Sequence, residues 1–298
     1  LDTKINLALV GFGKFGKKYY KNILEDNRFE LKVIFRKQIK NFDKTNKKFS
    51  LKEIKKNNIQ AAIICTPVNT HYRLSKIFIE NKIPIILEKP ASTNFNNIKK
   101  LLKLAQKKKS SVIVNHSDLH NKNFELILKK KRLIGQINFI KCHFGKYNNN
   151  YSKDKSPFND WIPHPLSLVI TLLNNIKKFK IKSVVNSVKK KSSKIFQFSH
   201  IKLNFDEQIN CEVTIWNTLK KKQRQLVVYG RNGFINYDGY NASNNFINLK
   251  RKKIKINSKI TPMENILTRL YKTVSTKRFI SDLPLALKIE AINSKIRF

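Results

Sequence analysis

Acid is scarce in this chain. Its 298 residues hold 19 Asp and Glu against 62 Lys and Arg, a formal net charge of +43. There are only eight glycines, eight prolines, one methionine and three cysteines. Cys65, Cys142 and Cys211 are far apart, odd in number and form no C-x-x-C pair. That argues against a disulfide framework or a structural zinc site and for a reducing, cytoplasmic setting. No apolar run is long enough to span a bilayer, so no membrane partner is expected. The N-terminal apolar stretch is too short for a secretion signal and lacks a small-residue cleavage site; it reads as a buried strand. No internal repeat or low-complexity linker interrupts the chain.

What is present is a globular chain. A hydrophobic content of 41% with 10% aromatics excludes disorder, and the length is enough for two domains. The lysines run through the whole sequence, for example Lys107–Lys109, Lys129–Arg132, Lys189–Lys191 and Lys250–Lys253. Together with abundant Asn, Ile and Phe they match a drift toward AT-rich codons. A nucleic-acid footprint would gather on one face, and no nucleic-acid-binding motif is visible, so no dedicated nucleic-acid partner is expected. The charge favours encounter with anionic substrates such as nucleotide sugars.

Gly11-Phe12-Gly13-Lys14-Phe15-Gly16 carries the most information. It follows the apolar run Ile5–Val10 and opens a helix over Lys14–Glu25. In such a G-x-G-x-x-G the first Gly permits the turn, the second lets backbone approach a pyrophosphate, and the third lets helix and strand pack closely. The helix amides and dipole then face the phosphates. Gly11, Phe12, Gly13, Lys14, Phe15 and Gly16 are therefore expected to bind a dinucleotide.

Strands are predicted at Phe29–Arg36, Ala61–Cys65, Ile85–Glu88 and Ser111–Asn115. Helices are predicted near Ser50–Lys56, around Leu74, Ile77 and Phe78, and along Ile98, Leu101, Leu102 and Ala105, with Ser92, Thr93 or Asn94 as cap. Repeated units of this length imply a doubly wound parallel sheet of the Rossmann type over residues 1–118. Residues 119–298 read as an α+β domain on an open, mostly antiparallel sheet. Its runs are Ile137–Gly145, Ile181–Val188, Lys194–Asn204, Gln208–Thr218, Gln225–Tyr229, Phe234–Tyr237 and Phe246–Ile256. Two final helices carry Met263, Ile266, Leu267, Leu270 and Val274, then Leu285, Ile289, Ile292 and Ile296, and can pack back on the first domain.

Several residues are placed for chemistry. Strand two ends at Arg36-Lys37, where an NAD site usually has an acid for the ribose 2′-hydroxyl; Arg36 suits a 2′-phosphate, so NADP is preferred over NAD. Thr66, Pro67, Asn69 and His71 follow the carboxyl end of strand three, the edge at which open α/β sheets bind ligands. Glu88-Lys89-Pro90 ends strand four on the same edge, and Lys89 can stabilise a developing alkoxide. In Asp160-Trp161-Ile162-Pro163-His164-Pro165 the regular helix is expected to begin near Pro165, with His164 at its mouth. A helix N-terminus disfavours the imidazolium, which suits His164 as general base with Asp160 orienting it. His116, Asp118 and His120 alternate after strand five, but the segment runs into a helix, so no metal site is expected.

Together these residues resemble the Gfo/Idh/MocA oxidoreductases. The resemblance rests on the Gly loop, Ala62-Ile63-Ile64-Cys65-Thr66-Pro67 with Asn69 and His71, Glu88-Lys89-Pro90, the Asp160/His164 pair, and Tyr229-Gly230, Gly233 and Asp238. It implies hydride transfer between a nicotinamide and a sugar or polyol carbon. Lys89 would contact the reacting hydroxyl, Glu88 would lie near the nicotinamide ribose, and Asp160 and His164 would complete the proton path. Asn115 and Trp161 join Lys89 and His164 as expected substrate contacts. The partner is then a sugar-type small molecule, and the open sheet is an expected subunit interface of a dimer or tetramer. Ser156-Pro157-Phe158-Asn159 replaces the Gly-rich lead-in common in the family, and Ser167 stands where many members have a second Asp; both bear on substrate. Two other readings stay open: a non-catalytic dinucleotide-binding regulator of the same fold and, behind it, a basic nucleic-acid binder.

Overall fold

A computed structural model of the chain describes residues 4–36, 46–148, 151, 156–191 and 194–296. The chain divides into two compact units. One runs to Asn115 and adds Met263–Leu287; the other comprises His116–Pro262 and the chain from Lys288 onward. The division thus falls three residues before the boundary expected after residue 118, and the next-to-last helix with the start of the last belongs to the first unit. No helix among the described residues is long and apolar enough to cross a membrane, and the cysteines are free thiols.

The first unit contains β1 (Ile5–Val10), α1 (Lys14–Leu24), β2 (Phe29–Phe35), β3 (Asn46–Lys47), α2 (Leu51–Lys56), β4 (Ala61–Ile64), α3 (His71–Glu80), β5 (Ile85–Glu88), α4 (Phe95–Lys108) and β6 (Val112–Asn115). Its six strands are parallel, in the order β3-β2-β1-β4-β5-β6. β4, β5 and β6 are buried throughout, which is why their sequences are apolar without alternation. Of the candidate caps for α4, Asn94 is the one used: its side chain accepts from the Asn97 amide. Ile98, Leu101 and Ala105 face the core. The returning segment is pinned to the β6 edge. Arg269 makes a two-pronged bond to Asp282 at 2.7 Å on each arm, and Asp282 accepts from the Val114 amide at 3.1 Å.

The second unit contains α5 (Lys122–Lys130), β7 (Ile137–Gly145), α6 (Pro157–Trp161), α7 (Pro163–Leu173), β8 (Phe179–Lys191), β9 (Lys194–Phe205), β10 (Ile209–Trp216), β11 (Gln223–Gly230), β12 (Gly233–Asp238), β13 (Phe246–Leu249) and β14 (Lys252–Lys255). α8 (Pro262–Ser275) and α9 (Leu283–Ile296) close the chain. The sheet order is β14-β13-β12-β11-β7-β10-β9-β8, antiparallel except for the parallel pair β7–β10. One sheet face is apolar and buried, with Ile140, Cys142, Val213, Leu226, Val228 and Ile235. The run expected as one strand over Phe246–Ile256 is a hairpin that turns at Lys250-Arg251. No Gly, Asn or Pro marks that turn, so the pattern read through it. α7 begins at Pro163, two residues earlier than expected, because proline is tolerated throughout a first helical turn. His164 therefore stands inside that turn.

Candidate active site

The glycine turn is built from close approaches. Gly11 has φ +98°, and a Cβ there would stand 2.8 Å from the Cys65 carbonyl oxygen at the end of β4. A Cβ on Gly16 would meet the Gly11 carbonyl oxygen at 2.2 Å. These two positions bind strand, turn and helix into one unit. Gly13 differs: it is the N-cap residue of α1, no side chain caps that helix, and a Cβ on it would meet nothing within 4 Å. Leading helix amides with no intrahelical acceptor beside a residue without side chain form a cradle that fits a pyrophosphate. The cradle lies at the carboxyl ends of β1 and β4, where the strand order reverses, the usual ligand position in such sheets. The Cys65 thiol bonds the Gly11 carbonyl oxygen at 3.2 Å; burial, with Glu88 nearby, pushes that thiol up to about 12. Arg36 places its guanidinium carbon 5.5 Å from the Phe12 ring centre. Lys37 lies outside the described residues.

After β4, the Thr66 and Thr70 hydroxyls are 2.6 Å apart, and Pro67 and Asn69 are exposed. His71, expected to meet the cofactor, is 1% exposed. Its ring lies between two carbonyl oxygens, 2.9 Å from that of Pro90 and 2.8 Å from that of Thr66. It ties the turn after β4 to the turn after β5, so its contribution to the cradle is support. Burial lowers its pKa against the pull of those two bonds.

Glu88 and Asn115, expected at the ribose and at the substrate, are engaged inside this unit. Asn115 Nδ2 donates to Glu88 Oε1 at 2.7 Å and to the Tyr19 hydroxyl at 2.8 Å. Tyr19 donates to the same Glu88 oxygen at 3.1 Å. Burial raises the Glu88 carboxyl although Asn115, Lys89 and Tyr19 oppose it. Tyr19 was not foreseen; it lies three residues past Gly16, and only its spacing along α1 hints that it turns inward. Lys89 follows on the same edge, half-buried, with a cis peptide to Pro90.

In the second unit, His164 and Trp161 stand together, with ring centres 5.8 Å apart. Asp160, expected to orient His164, is exposed and accepts from the Tyr151 hydroxyl at 2.6 Å. The carboxylate bonded to the ring is Asp118, whose Oδ2 is 3.2 Å from His164 Nδ1. The structure ends β6 at Asn115 and turns the chain through His116–Asp118. That breaks the His116/Asp118/His120 alternation and sends Asp118 inward, where Tyr237 donates to its Oδ1 at 3.1 Å. Arg224, from β11, is bonded to the same imidazole. Burial would raise the Asp118 carboxyl, but Arg224, the His164 bond and Tyr237 outweigh it and hold it below its ordinary value. Arg224 and Tyr237 escaped notice because nothing local distinguishes them from neighbouring basic and apolar strand residues.

Residues 5–116 match the Gfo/Idh/MocA family model, described as an oxidoreductase family with an NAD-binding Rossmann fold. Over those residues the chain is similar to that family's NAD-binding domain. A curated relative, the uncharacterized oxidoreductase YgjR of Escherichia coli (strain K12), is 17% identical over 157 residues, 50% of this chain and 48% of that protein. The match thus spans about half of each chain. Among solved structures, UDP-N-acetylglucosamine 3-dehydrogenase GnnA from Acidithiobacillus ferrooxidans superposes over 99% of this chain and 97% of its own, at 12% identity and TM-score 0.77. Biliverdin reductase from Synechocystis sp. PCC 6803, in complex with biliverdin and NADP+, covers 98% of this chain and 97% of its own, at 15% identity and TM-score 0.74. At these identities the likeness establishes that both units share the fold of these enzymes.

Proposed function

We propose that the protein is an NAD(P)-dependent oxidoreductase acting on a secondary hydroxyl, or the matching ketone, of a sugar, nucleotide sugar or cyclitol. The observation that carries the reading is the uncapped α1 N-terminus behind Gly13, open on the side where a Cβ would stand. Gly11 to Gly16 would hold the pyrophosphate, and Arg36 beside Phe12 would pair with a 2′-phosphate, which favours NADP. Bound there, a nicotinamide supplies hydride acceptance or donation. Lys89 hydrogen-bonds the reacting hydroxyl and stabilises the charge that develops on its oxygen. His164 takes the hydroxyl proton. Among the fold neighbours, one is named for a nucleotide sugar and one holds NADP+, and the net charge of +43 favours an anionic substrate.

The partner proposed for the open face of the second sheet is another copy of this chain, in a dimer or tetramer. A row of rings supports it: Phe139–Tyr229, Tyr229–Phe234 and Phe234–Phe246 are 5.8, 5.9 and 5.8 Å apart, and Tyr229 is 40% exposed. Sedimentation of Tyr229→Glu against the parent chain tests it; an unchanged mass rejects that interface.

Fluorescence titration with NADPH and NADH, followed by a reductase screen over keto-sugars and nucleotide keto-sugars, tests the reading. Saturable binding, tighter for NADPH, and turnover lost in Lys89→Ala and His164→Ala are expected. Binding without turnover on any of these would leave a dinucleotide-binding regulator. No NADPH binding, with DNA affinity falling steeply in salt, would replace it by a nucleic-acid binder.

A further inference from the structure

We propose that Asp118 and Arg224 are positioning residues that hold His164 in one neutral tautomer, with the proton on Nδ1 and the lone pair on Nε2. The role in catalysis rests on the reading of His164 as proton acceptor; the tautomer itself does not.

The two partners leave the ring little choice. Asp118 Oδ2 is 3.2 Å from Nδ1, and the Asp118 side chain is 2% exposed. Its other oxygen is occupied by the Tyr237 hydroxyl, and its carboxyl is held ionised. An ionised carboxylate only accepts, so Nδ1 carries a hydrogen toward it. Arg224 Nη2 lies 3.2 Å from Nδ1 and 3.1 Å from Nε2; being about equally far from both nitrogens, it stands over the ring face and not along either in-plane lone pair. Arg224 Nε is also 3.6 Å from Asp118 Oδ2. A second ring proton would set two cations in contact, so with Nδ1–H turned to Asp118 the bare nitrogen is Nε2. The opposite tautomer would turn a bare Nδ1 to the carboxylate. One state satisfies both neighbours.

The bracket is built into the packing. Arg224 Nη1 donates to Ser117 Oγ at 3.3 Å, and its guanidinium carbon lies 5.8 Å from the Trp161 ring centre and 5.6 Å from that of Tyr240. Lys222 covers Tyr240 at 3.7 Å. Gly239 makes the space: a Cβ there would come within 2.8 Å of Arg224 Cδ and 2.9 Å of Asp118 Oδ1. The charged and titratable groups near the ring thus come from several elements: Asp118 before α5, Lys222 just ahead of β11, Arg224 near its start, Tyr237 on β12, Tyr240 beyond it, and the exposed Asp160 on α6. The orienting role expected of Asp160 passes to Asp118, which is buried and bonded to the ring. Nε2 becomes the proton-accepting atom for a substrate hydroxyl. When the hydroxyl proton arrives at Nε2, the Asp118 carboxylate balances the charge gained.

Nitrogen-15 correlation spectra of the histidine-labelled full chain, with His164 assigned through His164→Gln, test this directly. A protonated Nδ1 and a bare Nε2 are expected at neutral pH. Removing the anion in Asp118→Asn moves the ring's titration midpoint down and admits the other tautomer. Removing the cation in Arg224→Gln moves it up by about one pH unit or more. Gly239→Ala changes no charge but pushes the bracket apart, so it mixes the tautomers. With a turnover substrate in hand, Asp118→Asn lowers kcat about a hundredfold or more with KM little changed. A parent ring protonated on Nε2, or doubly protonated at neutral pH, overturns the proposal, as do variants whose midpoints move together or not at all. If Asp118→Asn does not fold, the other two variants carry the test. Loss of turnover in His164→Ala with the wrong tautomer sinks this inference alone. The expected tautomer with turnover indifferent to His164 sinks the catalytic reading alone.

Discussion

Asp118 and His164 are 46 positions apart in the chain, and Oδ2 of one stands 3.2 Å from Nδ1 of the other. The carboxylate arrives on the turn after β6 and the imidazole on the first turn of α7. Neither element announces the other.

The pair has a consequence for acid stability. The folded Asp118 carboxyl is held below its ordinary value. It therefore adds stability above the unfolded range near pH ~3.9 and loses it as pH falls through the folded value. Asp118→Asn should cost about 1–3 kcal/mol at neutral pH, with the gap to the parent closing in acid. Urea unfolding between pH 3 and 7 measures this; a gap independent of pH would contradict it.

Glu88 should show the opposite slope. Its carboxyl is raised by burial, so its contribution is fullest below the unfolded value near pH ~4.3 and declines as pH rises through the folded one. Glu88→Gln keeps an oxygen for Asn115 and Tyr19 to donate to. The variant should gain on the parent as pH rises from about 4 toward neutrality, read as a difference in thermal midpoint. A difference that shrinks over that range would refute the assignment.

Two glycines of the turn, Gly13 and Gly16, should separate function from fold. A methyl at Gly16 would collide with backbone, the Gly11 carbonyl oxygen at 2.2 Å, so Gly16→Ala should lose about 1–3 kcal/mol of stability. A methyl at Gly13 meets no protein atom within 4 Å. Gly13→Ala should stay near the parent in thermal midpoint, within the ~1 kcal/mol of an altered cap, and lose NADPH binding. Equal loss of stability in the two variants would remove the distinction.

Arg36 should set the cofactor preference. Arg36→Asp places an acceptor where a ribose 2′-hydroxyl is read and removes the partner of a 2′-phosphate. NADPH affinity should fall about tenfold or more and NADH affinity rise, an expectation drawn from the charge reversal at a bidentate phosphate site. Titrations that leave the NADPH to NADH ratio unchanged would assign the preference elsewhere.

Much of this was legible before any fold was known, and the division is instructive. The strand–turn–helix around Gly11 and Gly16, the unbroken apolar strands Ala61–Ile64 and Ile85–Glu88, and the α4 stripe are all local patterns. What failed also failed locally: the turn at Lys250-Arg251 has no turn residue, and Pro163 does not delay α7. His71, Glu88 and Asn115 were recognised as notable polar residues on a ligand-binding edge. Their burial was invisible, because it depends on the Pro90 and Thr66 carbonyls and on Tyr19 coming from other elements.

By itself the chain of residues determined the class of its first half and the turn that suits a dinucleotide, because glycine placement and apolar periodicity act over a few neighbouring residues. Only the tertiary structure decided that Asp118 bonds the His164 ring, and that Arg224, one cation among 62, lies against it. Those partners come from a loop and a strand whose meeting is set by sheet register and by the space left at Gly239, and register is a property of the packed sheet.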